Sequence, residues 1–370
     1  MSSERQISVL VEIIYTLSGR GLTKDADLLK DSIRSLGHEV SVKALPPQSL
    51  LIRKLSGKWG RAKKHFPSAH AVELTNSLQR MLRRLFRART RNADLVIHLE
   101  NIHPRYINPQ CPNWLIPNQE WFRSERSHYL VDIDAVLCKT QVAERRFRKL
   151  HGKVELLGFS TPGAKRALTT QWHLKQPANY LHVAGSSLSK GTSAVIGAWK
   201  RHPEWPTLIV VANSALVEQA LPANILLKKN LSNEEMKELW CRAAVAVIPS
   251  EVEGYGQVLG EAMSAGAVVV TTNAPPMNEL VTTSRGYLVP WSENRPWRLG
   301  TRYKVTVESL ELCLQHVFAE SSDTINAKAL EAQQWSIDNH QAFEKRLEQL
   351  IASVAPQPAS ITQQTADQPV

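Results

Sequence analysis

The stretch EGYGQVLGEAMSAGAVVVTT, beginning at Glu253, places two carboxylates, Glu253 and Glu261, around a glycine-bearing turn. Carboxylates make strong charge-assisted hydrogen bonds with hydroxyl groups, so the pair could grip a sugar or a ribose. The two could also serve as an acid and a base on one glycosidic bond, or do no more than flank a corner of the chain. Spacing weighs against the acid–base reading. Eight residues of helix rise about 12 Å, beyond the roughly 5–9.5 Å between carboxyl groups that act on one bond. Binding opposite ends of one long ligand fits better. Gly254 and Gly256 let the main chain come close to such a ligand. A helix starting near Gly256 would offer the free N–H groups that hold phosphate oxygens. A second turn, HVAGSSLSKGT, sets Gly185 and Ser186 ahead of Lys190, whose ammonium group could neutralise a phosphate or simply face solvent at a helix start.

These side chains need elements to carry them, and the chain supplies strands alternating with helical stretches. QISVLVEIIY, HEVSVKALPP, ADLVIHLE, NWLIP, DAVLCKT and KVELLGF read as strands of a first parallel sheet. Near TTQWHLKQPAN the pattern restarts with YLHVAGSS, followed by TLIVVAN, NILLKKN, AVAVIPS, AVVVTT and GYLVP. The predicted fold class is α/β, two doubly wound, Rossmann-like parallel-sheet domains in series. The first is expected over residues 1–165 with a basic insertion at 51–91, the second over 178–335. A helical stretch from about Val305 to Val354 follows, its end (336–354) packing back on the first domain. The Pro/Gln/Thr-rich residues 355–370 are expected to be a disordered tail.

Composition narrows the class further. A hydrophobic content of 43% and a charged content of 21% are those of a water-soluble globular protein. No apolar run reaches the roughly 18 residues that a membrane span needs. Ile7 to Leu17 is broken by Glu12 and reads as a strand, not a leader. Cys111, Cys138, Cys241 and Cys313 lack the close spacing of a metal or redox motif, which suggests free thiols in a reducing cytoplasm. Asp25/Asp27 and Asp132/Asp134 have a spacing that can bind metal. The first pair reads instead as acids suited to a helix start and the second as turn residues, so no metal ligand is assigned.

The net charge of +11 is concentrated. Residues 51–91 hold 12 of the 45 Lys and Arg but only Glu73 of the 34 acids, which leaves the rest of the chain neutral. In LTNSLQRMLRRLFRARTR, helical spacing sets Leu74, Leu78, Met81, Leu82, Leu85 and Phe86 on one side and Arg80, Arg83, Arg84, Arg87 and Arg91 on the other. An ordinary amphipathic helix with a solvated basic face would look the same. So would a face that meets phosphates. The arginines, with Gly19 and Arg20 of the SGRGLT turn, form the candidate polyanion set. The partner is an anionic membrane surface or nucleic acid, with Trp59 and Phe66 among the bases available to either.

From NILLKKN to MNELV, with its EGYGQVLGEAMSAG core, the sequence resembles the nucleotide-sugar half of retaining GT-B glycosyltransferases carrying an E-x7-E signature. HVAGSSLSKGT resembles the family's glycine-turn-Lys-Gly element and SLGHEVSVKALPP its second strand. The likeness spans about residues 5–350 and is stronger in the second half. It implies a GT-B enzyme that uses a UDP- or GDP-sugar, needs no cofactor or metal, and retains anomeric configuration. By that resemblance Glu253 meets the donor sugar, Lys190 the diphosphate and Glu261 the ribose. Main-chain groups of Gly254, Tyr255, Gly256, Gln257 and Val258, with Gly185 and Ser186, line the phosphates. The strand end from Lys228 to Leu231 meets the base. It also places the work in the cytoplasm or at the inner face of its membrane, and sets Gly19, Arg20 and the basic segment on the acceptor side, where the acceptor is a glycan, glycolipid or lipopolysaccharide precursor, or a hydroxymethylated DNA base. Two departures stand out. Ser186 and Ser187 stand where the family carries an arginine, and Asn118, Gln119 or Glu120 where it carries a histidine. Asn118 is the expected hydrogen-bonding substitute, and His98 and His103 are read as structural. Loss of both family residues also leaves room for a non-catalytic protein that binds sugar-nucleotides or polyanions.

Overall fold

The computed structural model describes residues 8–47, 69–85, 92–167, 179–213 and 221–354. The first sheet contains β1 (Leu10–Thr16), β2 (Glu39–Leu45), β3 (Leu95–Glu100), β4 (Asn113–Pro117), β5 (Ala135–Cys138) and β6 (Val154–Leu156). The second contains β7 (Tyr180–Gly185), β8 (Leu208–Ala212), β9 (Ile225–Lys228), β10 (Val245–Ile248), β11 (Val268–Thr272) and β12 (Gly286–Val289). All pairs within the two sheets are parallel, in the orders β2-β1-β3-β4-β5-β6 and β12-β11-β10-β7-β8-β9. Each order reverses once, between β1 and β3 in the first sheet and between β10 and β7 in the second. Loops leaving the carboxyl ends of strands at such a reversal splay apart and open a crevice where ligands bind.

Helices cover these sheets. In chain order they are α1 (Arg20–Ser35), α2 (Ala69–Leu85), α3 (Gln141–Phe147), α4 (Pro162–Ala167), α5 (Thr192–Arg201), α6 (Asn233–Arg242), α7 (Gln257–Ser264), α8 (Met277–Leu280), α9 (Val307–Ala319) and α10 (Ser322–Ala352). The single helical stretch expected from Val305 to Val354 is two helices. Ser321 starts the second by accepting a hydrogen bond from the Thr324 N–H at 3.1 Å. α10 then crosses to the first half. Asn339 donates to the Phe159 carbonyl at 2.7 Å and Arg346 Nε to the Leu157 carbonyl at 2.7 Å. Edge-to-face rings continue this contact, with Phe159 centred 5.4 Å from Phe343 and 5.6 Å from Tyr255. Aromatic edges and faces carry opposite partial charges, so the stack joins three segments more firmly than apolar burial alone would.

An antiparallel hairpin, β13 (Glu293–Trp297) and β14 (Gly300–Lys304), was not foreseen. Its strands are mostly polar, β13 exposed and β14 largely half-buried, and its turn is Arg298-Leu299, with Arg298 at φ +55° in place of an Asn-Gly signal. The expected tail at 355–370 and most of the basic insertion, 48–68 and 86–91, lie outside the described residues, as do residues 168–178 between the two sheets.

Candidate active site

The two turns singled out by sequence meet at the reversal point of the second sheet. β7 ends at Gly185 in the left-handed region, φ +57°. The chain then turns through Ser187, whose N–H reaches the Ala184 carbonyl at 3.0 Å. Gly191, at φ +69°, starts α5 hard against the other turn: a Cβ there would lie 2.3 Å from the Pro249 carbonyl oxygen. The Glu251 N–H completes the junction by donating to the Ser189 carbonyl at 2.9 Å. This packing delivers Lys190 to Glu253, and the two form an ion pair with side chains only 15% and 11% exposed. Lys190 therefore precedes its helix and faces inward, instead of lying on a solvated helix start.

Gly256, at φ +106°, starts α7, as the turn chemistry predicts. Glu261, one face further along α7, pairs with Lys24 of α1, which belongs to the first half. The two carboxylates thus have separate cationic partners, consistent with contact to different parts of a ligand. Gln257 also reaches across: its Nε2 donates to Asp25 Oδ1 at 2.7 Å and to the Ser160 carbonyl at 3.0 Å. Val258 is buried and Leu231 is half-buried against the same core. Tyr255 turns its phenol inward to accept from Asn339 at 3.1 Å, and burial raises its pKa.

Asp25 requires a correction. Sequence reasoning gave it to the positive end of a helix, but it lies a turn and a half inside α1 and is buried. Its Oδ2 accepts from Lys139 Nζ at 2.5 Å, and the two side chains are 5% and 0% exposed. Lys139 directly follows β5 and also lies 4.2 Å from the centre of the Phe159 ring. A lysine at the carboxyl end of a strand is a legible signal for a site residue, and it was missed. Asp134 behaves as a turn residue, accepting from the Asn113 N–H at 2.7 Å. Among the described residues no group of three or more His, Cys, Asp or Glu is placed to hold a metal ion.

The first half contributes the turn after β4. The Asn118 carbonyl caps the turn by accepting from Trp121 and Phe122 at 3.0 and 2.8 Å. Gln119 Nε2 donates to the main-chain carbonyl of Glu253 at 2.9 Å. Glu120 is buried, and burial above all, with Glu253 and Glu100 nearby, lifts its pKa to about 8. A Cβ on Gly254 would lie 2.7–2.9 Å from the Glu120 oxygens and Asn118 Cγ, so this close approach requires glycine. Asn118 Oδ1, Gln119 Oε1 and Glu120 Oε2 are buried without a hydrogen-bond partner. Glu100, at the carboxyl end of β3, sits at φ +68°, a strained conformation for a residue with a side chain, and its pKa is raised chiefly by burial. The unforeseen hairpin holds this turn from outside. Arg298 donates to the Trp121 carbonyl at 2.8 Å, the Leu299 N–H to the Gln119 carbonyl at 3.3 Å, and Arg302 pairs with Glu251.

His98 Nδ1 accepts from the His103 N–H at 3.2 Å and desolvation lowers the His98 pKa to about 4, while the Nε2 atoms of both rings are buried without a hydrogen-bond partner, so they are not the satisfied histidines expected. The acceptor set divides. Gly19 and Arg20 open α1, one turn before Lys24, at the crevice. Arg80 lies on α2 and faces the protein: its side chain, 16% exposed, donates to the His128 carbonyl at 3.1 Å and pairs with Glu73 at 2.8 Å. Asn76 is buried beside it, while Leu74, Leu78, Met81, Leu82 and Leu85 are 44–74% exposed. Where the apolar side was expected inward, a polar row finds hydrogen-bond partners and the apolar row faces out. The side chains of Arg83 and Arg84, and all of Arg87 and Arg91, lie outside the described residues.

Residues 182–296, which carry both turns, match the family described as "Glycosyl transferases group 1". A GDP-mannose:cellobiosyl-diphosphopolyprenol alpha-mannosyltransferase of Xanthomonas oryzae pv. oryzae (strain PXO99A) is 26% identical over 165 residues, which span 41% of this chain and 41% of that relative. Among solved structures, sucrose-phosphate synthase of Thermosynechococcus elongatus superposes at TM-score 0.64 and 14% identity, covering 94% of this chain and 99% of that one. WaaG, a glycosyltransferase involved in lipopolysaccharide biosynthesis, superposes at TM-score 0.57 and 17% identity, covering 95% and 100%. The family match falls on the turns that bring Lys190 to Glu253, so residues 182–296 resemble group 1 glycosyltransferases, while the whole chain has the GT-B fold.

Proposed function

We propose that this enzyme moves a sugar from a nucleoside-diphosphate donor to a lipid-linked glycan at an anionic membrane surface, with retention of anomeric configuration. The observation that carries the reading is the Lys190–Glu253 pair at the strand-order reversal, facing the Asn118 turn. Residues 1–165 would act as the acceptor-side domain and 178–335 as the donor domain, with 336–354 returning to the first. On donor binding, Lys190 exchanges the Glu253 carboxylate for the diphosphate and stabilises the charge that grows on it as the glycosidic bond breaks. Glu253, released, accepts hydrogen bonds from sugar hydroxyls, and Asn118 Oδ1 accepts one from the other side. Glu261 exchanges Lys24 for the ribose. Gly185, Ser186 and main-chain groups from Gly254 to Val258 surround the phosphates, and Leu231 lies by the base. The ammonium of Lys190 serves at the diphosphate without a metal ion, so a chelator leaves turnover unchanged.

The acceptor reading rests on α2. Its exposed leucines and Met81, in a segment that holds the chain's whole excess of positive charge, suit a surface that is apolar below and anionic above. The Xanthomonas relative acts on a diphosphopolyprenol-linked glycan, as its name states. Two measurements test the proposal. Thermal shift across UDP-, GDP- and ADP-sugars identifies the donor, since bound ligand stabilises in proportion to ln(1 + [L]/Kd). Flotation with anionic and neutral vesicles, set against titration with duplex DNA, tests the surface. Binding to DNA but not to vesicles would overturn the acceptor assignment, and no stabilisation by any donor would overturn the transferase mechanism.

A further inference from the structure

The hairpin carries charge that the transfer chemistry leaves unused. From Glu293 to Lys304 it holds Arg295, Arg298, Arg302 and Lys304 against a single acid, Glu293. The family match ends at residue 296, inside β13, so most of these bases lie beyond it. The hairpin sits at the rim of the crevice. The Tyr303 N–H donates at 2.7 Å to the carbonyl of Glu251, two residues before Glu253. Arg298 and Leu299, at its turn, hold the Asn118 turn of the first half.

Register decides which side chains the hairpin presents together. Arg295 lies directly opposite Arg302, and Trp297 opposite Gly300. Side chains alternate along a strand, so Arg295 and Trp297 share one face with Gly300, Arg302 and Lys304. That face begins at the crevice: a Cβ on Gly300 would lie 3.5 Å from Glu120 Cβ, and Arg302 pairs with Glu251. It ends in the exposed side chains of Arg295 and Lys304. At roughly 3.4 Å per residue, Lys304 stands about 14 Å along the strand from Gly300. Two arginines directly across a ladder repel each other. Both guanidinium groups lie by the Trp297 ring, Arg295 at 5.9 Å and Arg302 at 5.4 Å from its centre, but Glu251 neutralises only Arg302. Among the described residues neither Arg295 nor Lys304 forms an ion pair, and Trp297 Nε1 is buried without a hydrogen-bond partner.

We propose that this face is an acceptor subsite for an acidic glycan: the acceptor leaves the crevice along the hairpin, and Arg295, with Lys304 beyond it, binds a negatively charged group on its sugar chain. This rests on the reading of the crevice as the place of sugar transfer. The planar guanidinium can meet an oxyanion through two parallel N–H···O bonds and so fix its orientation, while Lys304 adds a point charge. The Trp297 ring steadies Arg295 in place. Position at the crevice mouth, beyond charge alone, selects a glycan over a nucleic-acid backbone. A neutral acceptor gains nothing from either cation and binds more weakly.

The test titrates cellotetraose, tetragalacturonate and a thymidine pentanucleotide of the same charge into the enzyme by calorimetry, with the donor's nucleoside diphosphate saturating. The variants are Arg295→Lys and the double variant Arg295→Ala with Lys304→Ala, both at exposed positions, with thermal unfolding as a folding check. Wild type should bind tetragalacturonate at least about tenfold more tightly than either other probe. R295A/K304A should lose at least about tenfold for tetragalacturonate while its affinity for the nucleoside diphosphate stays within about twofold. R295K, which keeps the charge but not the fork, should fall between. Equal affinity of wild type for the two saccharides, tetragalacturonate binding untouched in the double variant, or a pentanucleotide bound as tightly as tetragalacturonate would each overturn the proposal. Failure of wild type to bind any nucleoside diphosphate would instead overturn the transferase mechanism, so the two failures are distinct.

Discussion

Replacing Lys139 with methionine should reveal how much of the closed arrangement depends on one buried ion pair. Lys139 Nζ lies 2.5 Å from Asp25 Oδ2, with side chains 0% and 5% exposed, so the mutation leaves an anion in a dry site. Removing one partner of such a pair generally costs about 3–5 kcal/mol. One feature moderates the cost here, since Gln257 still donates to the other Asp25 oxygen at 2.7 Å. The expected loss is therefore about 3–4 kcal/mol. Denaturant unfolding of K139M, and of the double variant D25N/K139M, measures it. The double variant should regain at least half the loss, because no charge is left stranded. A cost below about 1 kcal/mol, or a double variant no better than K139M, would refute the reasoning.

Other consequences follow from the same geometry. Gly191→Ala meets both a φ of +69° and the Pro249 carbonyl at 2.3 Å, so it should lower stability by about 2 kcal/mol or more and turnover with it. His98 and His182 are buried with pKa values lowered by desolvation to about 4, below the ordinary 6.5. The unfolded chain binds these protons first as pH falls, so stability should drop between pH 6.5 and 4, by about 3 kcal/mol for each histidine; a flat profile in that window would contradict the assignment. Arg298→Ala removes the hairpin's hydrogen bond to the Trp121 carbonyl at 2.8 Å and should raise hydrogen exchange at residues 118–122 without altering the rest of the first sheet.

Much of the fold was legible because its signals are local. β10 and β11 read as unbroken apolar strands since both their faces are covered, and Gly256 marks a helix start that requires a positive φ. The Lys190 and Glu253 turns were found from residue type at strand ends. What sequence did not disclose depends on partners far along the chain. Asp25 and Lys139 are 114 residues apart, and neither neighbourhood predicts the other. Glu261 likewise meets Lys24 from 237 residues away. The hairpin escaped because its polar strands lack an alternating apolar face and its turn lacks the usual residues. On α2 the spacing identified the apolar row but not its direction. Direction is set by whether the polar row finds partners, and Arg80 finds the His128 carbonyl.

Calorimetric titration of the donor's nucleoside diphosphate into wild type, Lys190→Ala and Glu253→Ala tests the central claim most directly, since Lys190 and Glu253 hold each other in the free enzyme. The account predicts that K190A binds at least about tenfold more weakly, and that E253A, which frees the ammonium group, binds as well as wild type or better yet fails to turn over the sugar-bearing donor. Equal binding by wild type and K190A would contradict it.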